Sequence, residues 1–191
     1  MTAPAASIAT PAARLWPRTA HNARARAVGL VLIGTALLAL AAHIQVPFWP
    51  VKLSMQSFVV LGIGIAYGGR LGVATIVAYM LEGAVGLPVF QGGAGVVYMM
   101  GPTAGYLLGF VLVAGVVGYC TERGAMRRIP TALGAILLGE VAIYAPGVAW
   151  LAVLFGAEKS VAYGVMPFVS GEVLKVALVL ALVPAIRRMM R

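Results

Sequence analysis

The chain has 191 residues, of which 62% are hydrophobic and only 10% charged, with a mean hydropathy of +0.99 and a net charge of +9. Soluble domains carry about 25% charged residues, so this composition excludes an ordinary soluble enzyme and predicts an all-α integral membrane protein in one domain. One cysteine, Cys120, excludes an internal disulfide, and two histidines, His21 and His43, offer no metal-ligand cluster; neither a metal site nor a cofactor is predicted.

The first stretch, "MTAPAASIATPAARLWPRTAHNARARA", has no acidic residue and is rich in Ala, Pro and Arg. Residues 1–26 read as a disordered cytoplasmic tail. Two targeting readings compete with it: an Arg-rich transit peptide, or a signal peptide with an apolar core at 28–38 and a small-residue cleavage site at 39–41. Cleavage would leave an odd number of spans and invert the charge bias described below.

A spanning helix needs about 20 apolar residues. Cut at Gly, Pro and charge clusters, the apolar runs predict six transmembrane helices, at about 26–43, 55–68, 70–86, 103–121, 131–155 and 168–186. The membrane domain is thus 27–188, followed by a basic tail at 189–191. Between the third and fourth runs, 87–102 reads "LPVFQGGAGVVYMMGP", uncharged and Gly-rich between two prolines. Irregular backbone at membrane depth is tolerated only where protein buries it or it lines a cavity. The segment 43–57, "HIQVPFWPVKLSMQS", is similarly amphipathic. Both are candidate walls of a pocket.

With the N-terminus in the cytoplasm, eleven of the fourteen basic residues lie inside, from Arg14 to Arg191, and only Lys52 and Lys159 outside. This follows the positive-inside rule and places both termini in the cytoplasm and the Gly-rich loop on the outer side of an inner or cytoplasmic membrane. Topology and contact with membrane lipid account for the net charge, so nucleic-acid binding is not predicted.

The last run, "FVSGEVLKVALVLALVP", holds Glu172 and Lys175. A charge near the centre of a spanning helix costs roughly 2.5–3.5 kcal/mol on insertion scales, so such residues pair or line a wet cavity. Their i, i+3 spacing puts both on one face. They are either a structural ion pair or a polar ligand site. Glu82 shares a face with Tyr79 and Gly86 leading into the Gly-rich loop, and is either a pocket acid or one capped by Tyr79 or paired with Lys52. Glu140 and Tyr144 repeat the i, i+4 logic, with a buried hydrogen-bonded pair slightly favoured over contact with a ligand. Gly101, Gly105 and Gly109 form a ladder that lets another backbone approach. No G-x-x-x-x-G-K-[ST] pattern occurs, so energy must come from partners or from the substrate gradient.

These segments resemble a known family. "GLPVF" at 86–90 with its Gly-rich loop, "GPTAGYLLGF" at 101–110 and the acidic-x-x-Lys of "PFVSGEVLKVALVLALVPAI" at 167–186 are similar to the BioY family, biotin-binding S components of energy-coupling factor (ECF) transporters. The resemblance covers about 27–188. It implies a six-helix fold, biotin capture from the outer face, and uptake coupled to a transmembrane T subunit and two cytoplasmic ATPases. The family commonly has Asp-x-x-Lys where this chain has Glu172-x-x-Lys175, and an Ala-x-x-x-Ala docking face for the T subunit where this chain has Thr35-x-x-x-Ala39. Biotin presents two ureido N–H donors, a ureido carbonyl, an apolar thioether ring and a carboxylate. Glu172 suits the N–H pair, and Lys175 either the carbonyl or the carboxylate. Gln56 and Gln91 suit the ureido group, while Phe48, Trp49, Phe90 and Tyr98 could cover the rings. A membrane enzyme is disfavoured because Ser170 and Glu172 have no second base beside them. A riboflavin or thiamine carrier would want more stacking aromatics than 8%.

Overall fold

In an apolar medium the backbone must satisfy its own hydrogen bonds, so each apolar run becomes a helix and ends where the chain can turn. The computed structural model describes residues 9–17, 19, 21–46 and 53–190. Its helices are α1 (Pro11–Leu15), α2 (Ala23–His43), α3 (Gln56–Tyr67), α4 (Gly69–Ala84), α5 (Val96–Met99), α6 (Ala104–Glu122), α7 (Ile129–Phe155), α8 (Ala157–Gly164) and α9 (Val169–Met189), with a 3-10 turn at Ala125–Arg127. Two short strands, β1 (Gln45–Val46) and β2 (Leu53–Ser54), pair antiparallel, with Gln45 opposite Ser54.

The breaks have local causes. Gly68 takes φ +81° between α3 and α4, a conformation that L side chains disfavour. The Glu122 carboxylate accepts the Gly69 N–H at 3.0 Å, tying the start of α4 to the end of α6 and placing negative charge at a helix N-terminus. α7 continues through Pro146 without a break in the helix. Within the stretch read as a disordered tail, Pro11–Leu15 forms α1, with Pro11 and Ala12 buried, and α2 begins at Ala23.

α2, α6, α7 and α9 are each long and apolar enough to cross a membrane, whereas α3 has 12 residues and α4 has 16. α6 packs against α3, α4 and α7. Leu38, Val60, Leu61, Ile76, Tyr79, Val113, Val117 and Ile136 are fully buried in one core. Leu81, Leu108, Val141, Val153, Val173 and Leu174 are exposed. An apolar exterior around an apolar core fits lipid as the solvent.

Glycines set the closest helix contacts. A Cβ on Gly109 would lie 2.8 Å from the Cα and carbonyl O of Ile143, and one on Gly105 would lie 2.3 Å from the Pro146 carbonyl O. Two members of the predicted ladder therefore form the α6–α7 seam, whereas Gly101 faces the carbonyl of Tyr98. Gly134 on α7 has nothing within 4 Å of its Cβ position. Gly109→Ala is expected to force the seam apart at a cost of about 1–3 kcal/mol, lowering the thermal transition in detergent. Gly134→Ala should leave it unchanged or raise it, and equal transitions for the two variants would refute the seam.

Candidate functional site

The first turn of α3 and the first half of α9 come together in a buried polar cluster. Lys175 Nζ lies 2.9 Å from Glu172 Oε1. Lys175 also donates to Ser57 Oγ at 2.8 Å, and the Ser57 hydroxyl lies 3.1 and 3.3 Å from the two Glu172 oxygens. Glu172 is 9% exposed, Lys175 5% and Ser57 7%. The single Ser57 proton serves one carboxylate oxygen at a time. An ammonium group has three donors and a carboxylate about four acceptor sites. Lys175 thus retains a donor beyond Ser57 and Glu172, and the carboxylate retains acceptor sites, both beside a cavity.

That cavity measures about 140 Å³. Its polar lining includes Ser54, Gln56, Ser57, Gln91, Glu172 and Lys175, and its apolar wall includes Leu107, Phe110 and Ile143. Tyr106, Tyr144 and Phe168 line it as a cluster, the two tyrosine rings meeting edge to face at 5.9 Å and Phe168 lying 6.4 Å from each. The Tyr106 hydroxyl is anchored by donating to the Gly164 carbonyl at 2.7 Å.

The Gly-rich loop closes one side. Tyr79, fully buried, donates its hydroxyl to the Val89 carbonyl and accepts from Gln56 Nε2, both at 2.8 Å. Phe90 is fully buried between Tyr79, edge-on at 5.4 Å, and Tyr98, stacked at 4.9 Å. Its ring covers Gly83, where a Cβ would lie 2.0 Å away. The Gly95 N–H donates to the Gly83 carbonyl at 2.7 Å, and Trp150 Nε1 donates to the Gly101 carbonyl at 2.9 Å.

The structure therefore brings Glu172, Lys175, Gln56, Gln91 and Tyr98 to one cavity. Tyr79 and Phe90 stand behind it, holding Gln56 and the loop. Glu82 does not join them: it is half-buried on α4 and is absent from the cavity lining. Trp49, with Phe48 and Lys52, lies outside the described residues. The Glu140–Tyr144 pair does not form, since both Glu140 carboxylate oxygens are buried without a hydrogen-bond partner and Tyr144 turns to the cavity. Thr35 is only 3% exposed and bonds to the Leu32 carbonyl, so the chain's own helices already cover it. Ala39 is partly buried against the same core. Ser57, Tyr106 and Phe168 line the cavity without being revealed by spacing. For Ser57 alone there is a signal, the polar pair Gln56–Ser57 opening an otherwise apolar helix.

A multi-pass membrane protein with a buried charge pair facing an aromatic-walled cavity is the class that this fold and site define. Its architecture matches a structure described as the S-component for biotin from an ECF-type ABC transporter, with a TM-score of 0.72 at 20% identity over 90% of this chain and 95% of that one. The sequence model of the BioY family matches residues 15–191. The chain belongs to the BioY family. It is similar to the probable biotin transporter BioY of Pyrococcus horikoshii, with 36% identity over 81% of this chain and 91% of the relative. It is also similar to the biotin transporter BioY of Thermotoga maritima, with 38% identity over 81% of this chain and 90% of the relative.

Ser57→Ala should leave Lys175 and Glu172 each short of a partner while keeping the helix. Loss of a hydrogen bond to a buried charged group costs about 1.5–3 kcal/mol, so the ligand-free thermal transition should fall by several degrees. An unchanged transition would show that Ser57 is not part of the cluster.

Proposed function

We propose that this chain captures biotin and carries it into the cell as the S component of an ECF-type transporter. The observation that carries this reading is the buried Glu172–Lys175–Ser57 triangle, which keeps spare donor and acceptor capacity beside an otherwise apolar, aromatic-walled cavity. Biotin needs few polar partners and many apolar ones, the usual division of a small-ligand pocket. The triangle offers an acceptor for the ureido N–H groups and an ammonium for the ureido carbonyl or the tail carboxylate. The amides of Gln56 and Gln91 add a second polar edge, and Tyr98 with the Tyr106–Tyr144–Phe168 cluster supplies surfaces for the rings and the tail.

In this reading α3 and α4 also enter the bilayer, giving six membrane segments with α2, α6, α7 and α9. The arginine-bearing ends meet on one side: Arg14 bonds to Met190, Arg187 to Arg127, and Glu122 to the residue before Arg70. By the positive-inside rule that side is cytoplasmic, and the cavity with the 87–102 loop is extracytoplasmic in a cell membrane. Work then comes from a T subunit and two ATPases rather than from chemistry in this chain. Thr35 is covered by the chain's own helices and Ala39 is partly exposed, so in this reading Ala39 is the accessible member of the α2 docking face.

Calorimetric titration of purified variants tests the site. Lys175→Ala should weaken biotin binding by roughly ten- to a hundredfold, the loss of one charge-assisted bond. It should also lower the ligand-free transition, because Glu172 is stranded. Glu172→Gln with Lys175→Met removes both charges. Replacing a buried ion pair with groups of similar volume is often neutral or stabilising, so the double variant should keep its ligand-free transition and lose biotin binding. Wild-type affinity in the double variant would overturn the site. Topology is tested separately with reporter fusions after Arg128, which should score cytoplasmic; an external score would invert the orientation.

A further inference from the structure

Three guanidinium groups converge on a second pocket at the far end of α9. It has a volume of about 430 Å³ and is lined by Arg14, Met126, Arg127, Arg187 and Met190. Each arginine comes from a different element: Arg14 from α1, Arg127 from the 3-10 turn, and Arg187 from the last turn of α9. Their placement is fixed by backbone contacts. Arg14 Nη2 donates to the Met190 carbonyl at 3.2 Å, and Arg187 Nη1 donates to the Arg127 carbonyl at 3.4 Å. Arg26 donates to the Trp16 carbonyl, which secures the end of α1 against α2. A guanidinium has five donors, so most remain unused. Among the described residues none of these three arginines is paired with a carboxylate.

Like charges gathered around a concavity repel one another until an anion sits among them. We propose that this pocket binds the phosphate headgroup of an anionic phospholipid. The rim distinguishes a lipid from a free phosphate ion. Leu15, Trp16, Ile129 and Met189 are exposed and follow the three arginines by one or two residues along the chain, and the buried Met126 lines the pocket. Apolar side chains at the acyl level next to guanidinium groups at the phosphate level suit an amphiphile, whereas inorganic phosphate gains nothing from such a rim. The inference rests on the membrane placement of the helices and not on the biotin assignment. The bound lipid would join α1, the α6–α7 turn and α9 at the membrane face.

The test uses the full chain in neutral detergent with phosphatidylglycerol carrying a dansyl group on its acyl chain, read by energy transfer from the tryptophans. Dansyl-labelled phosphatidylcholine serves as the neutral probe. Phosphatidylglycerol should bind more tightly than phosphatidylcholine, and only its binding should weaken as salt rises. At about a fivefold effect per basic residue near the headgroup, Arg127→Gln with Arg187→Gln should weaken phosphatidylglycerol binding about twenty-five-fold. Biotin affinity should hold. Arg24→Gln with Arg70→Gln, which removes two charges outside the pocket, should change phosphatidylglycerol binding less than about threefold. Equal binding of the two lipids, no salt dependence, or the same loss in both double variants would overturn the proposal. So would displacement of phosphatidylglycerol by inorganic phosphate at matching concentration, which would make the pocket a free-anion site. The wild-type salt series decides the matter even if a variant fails to fold.

Discussion

The polar wall of the candidate site follows from the cost of holding a charge away from water. An unpaired ion costs several kcal/mol to bury, and an ion pair recovers this only with good geometry and further hydrogen bonds. Glu172 and Lys175 meet those conditions through each other and Ser57. Because Ser57 lies on α3 and the charges on α9, the electrostatic requirement becomes a tertiary contact. The same three groups set the register of two helices and supply the polar face of the cavity. Stability and the polar lining of the cavity are consequently built from one set of bonds.

The opposite wall is built on steric rather than electrostatic terms. Gly105 and Gly109 let the α6 and α7 backbones approach, which brings Tyr106 on one helix against Tyr144 on the other. Tyr106 also lies over Gly147, where a Cβ would be 2.5 Å from the ring. The aromatic surface is thus a product of missing side chains. A cavity with one hydrogen-bonded wall and one close-packed wall can hold a ligand that is polar at its ends and apolar between them.

Sequence made the elements legible because lipid demands long apolar runs and tolerates few interruptions. It made Glu172 and Lys175 legible for the same reason, since a charge inside such a run is conspicuous. Gln56, Gln91 and Tyr98 stood out as polar or aromatic groups in segments that could not be plain membrane helix. Ser57 was hidden because its partners are 115 and 118 residues away and a lone hydroxyl carries no spacing. The i, i+3 relation of Glu82 to Tyr79 leaves a residual rotation, so that the tyrosine is buried while the acid is half-buried. Small residues such as Thr35 serve packing within a bundle as readily as contact with a partner, and sequence does not separate the two.

The fastening of the Gly-rich loop has a consequence for how such a site can change. Its ties to the helices run through main-chain groups: the Val89 carbonyl to Tyr79, the Gly95 N–H to Gly83, and the Gly101 carbonyl to Trp150. Among its side chains Phe90 is seated over Gly83 and stacked on Tyr98. Gln91 and Tyr98 are carried on this frame and line the cavity. Change is barred at Gly83, because a side chain there must displace the Phe90 ring and disturb the Tyr98 ring stacked on it, which lines the cavity.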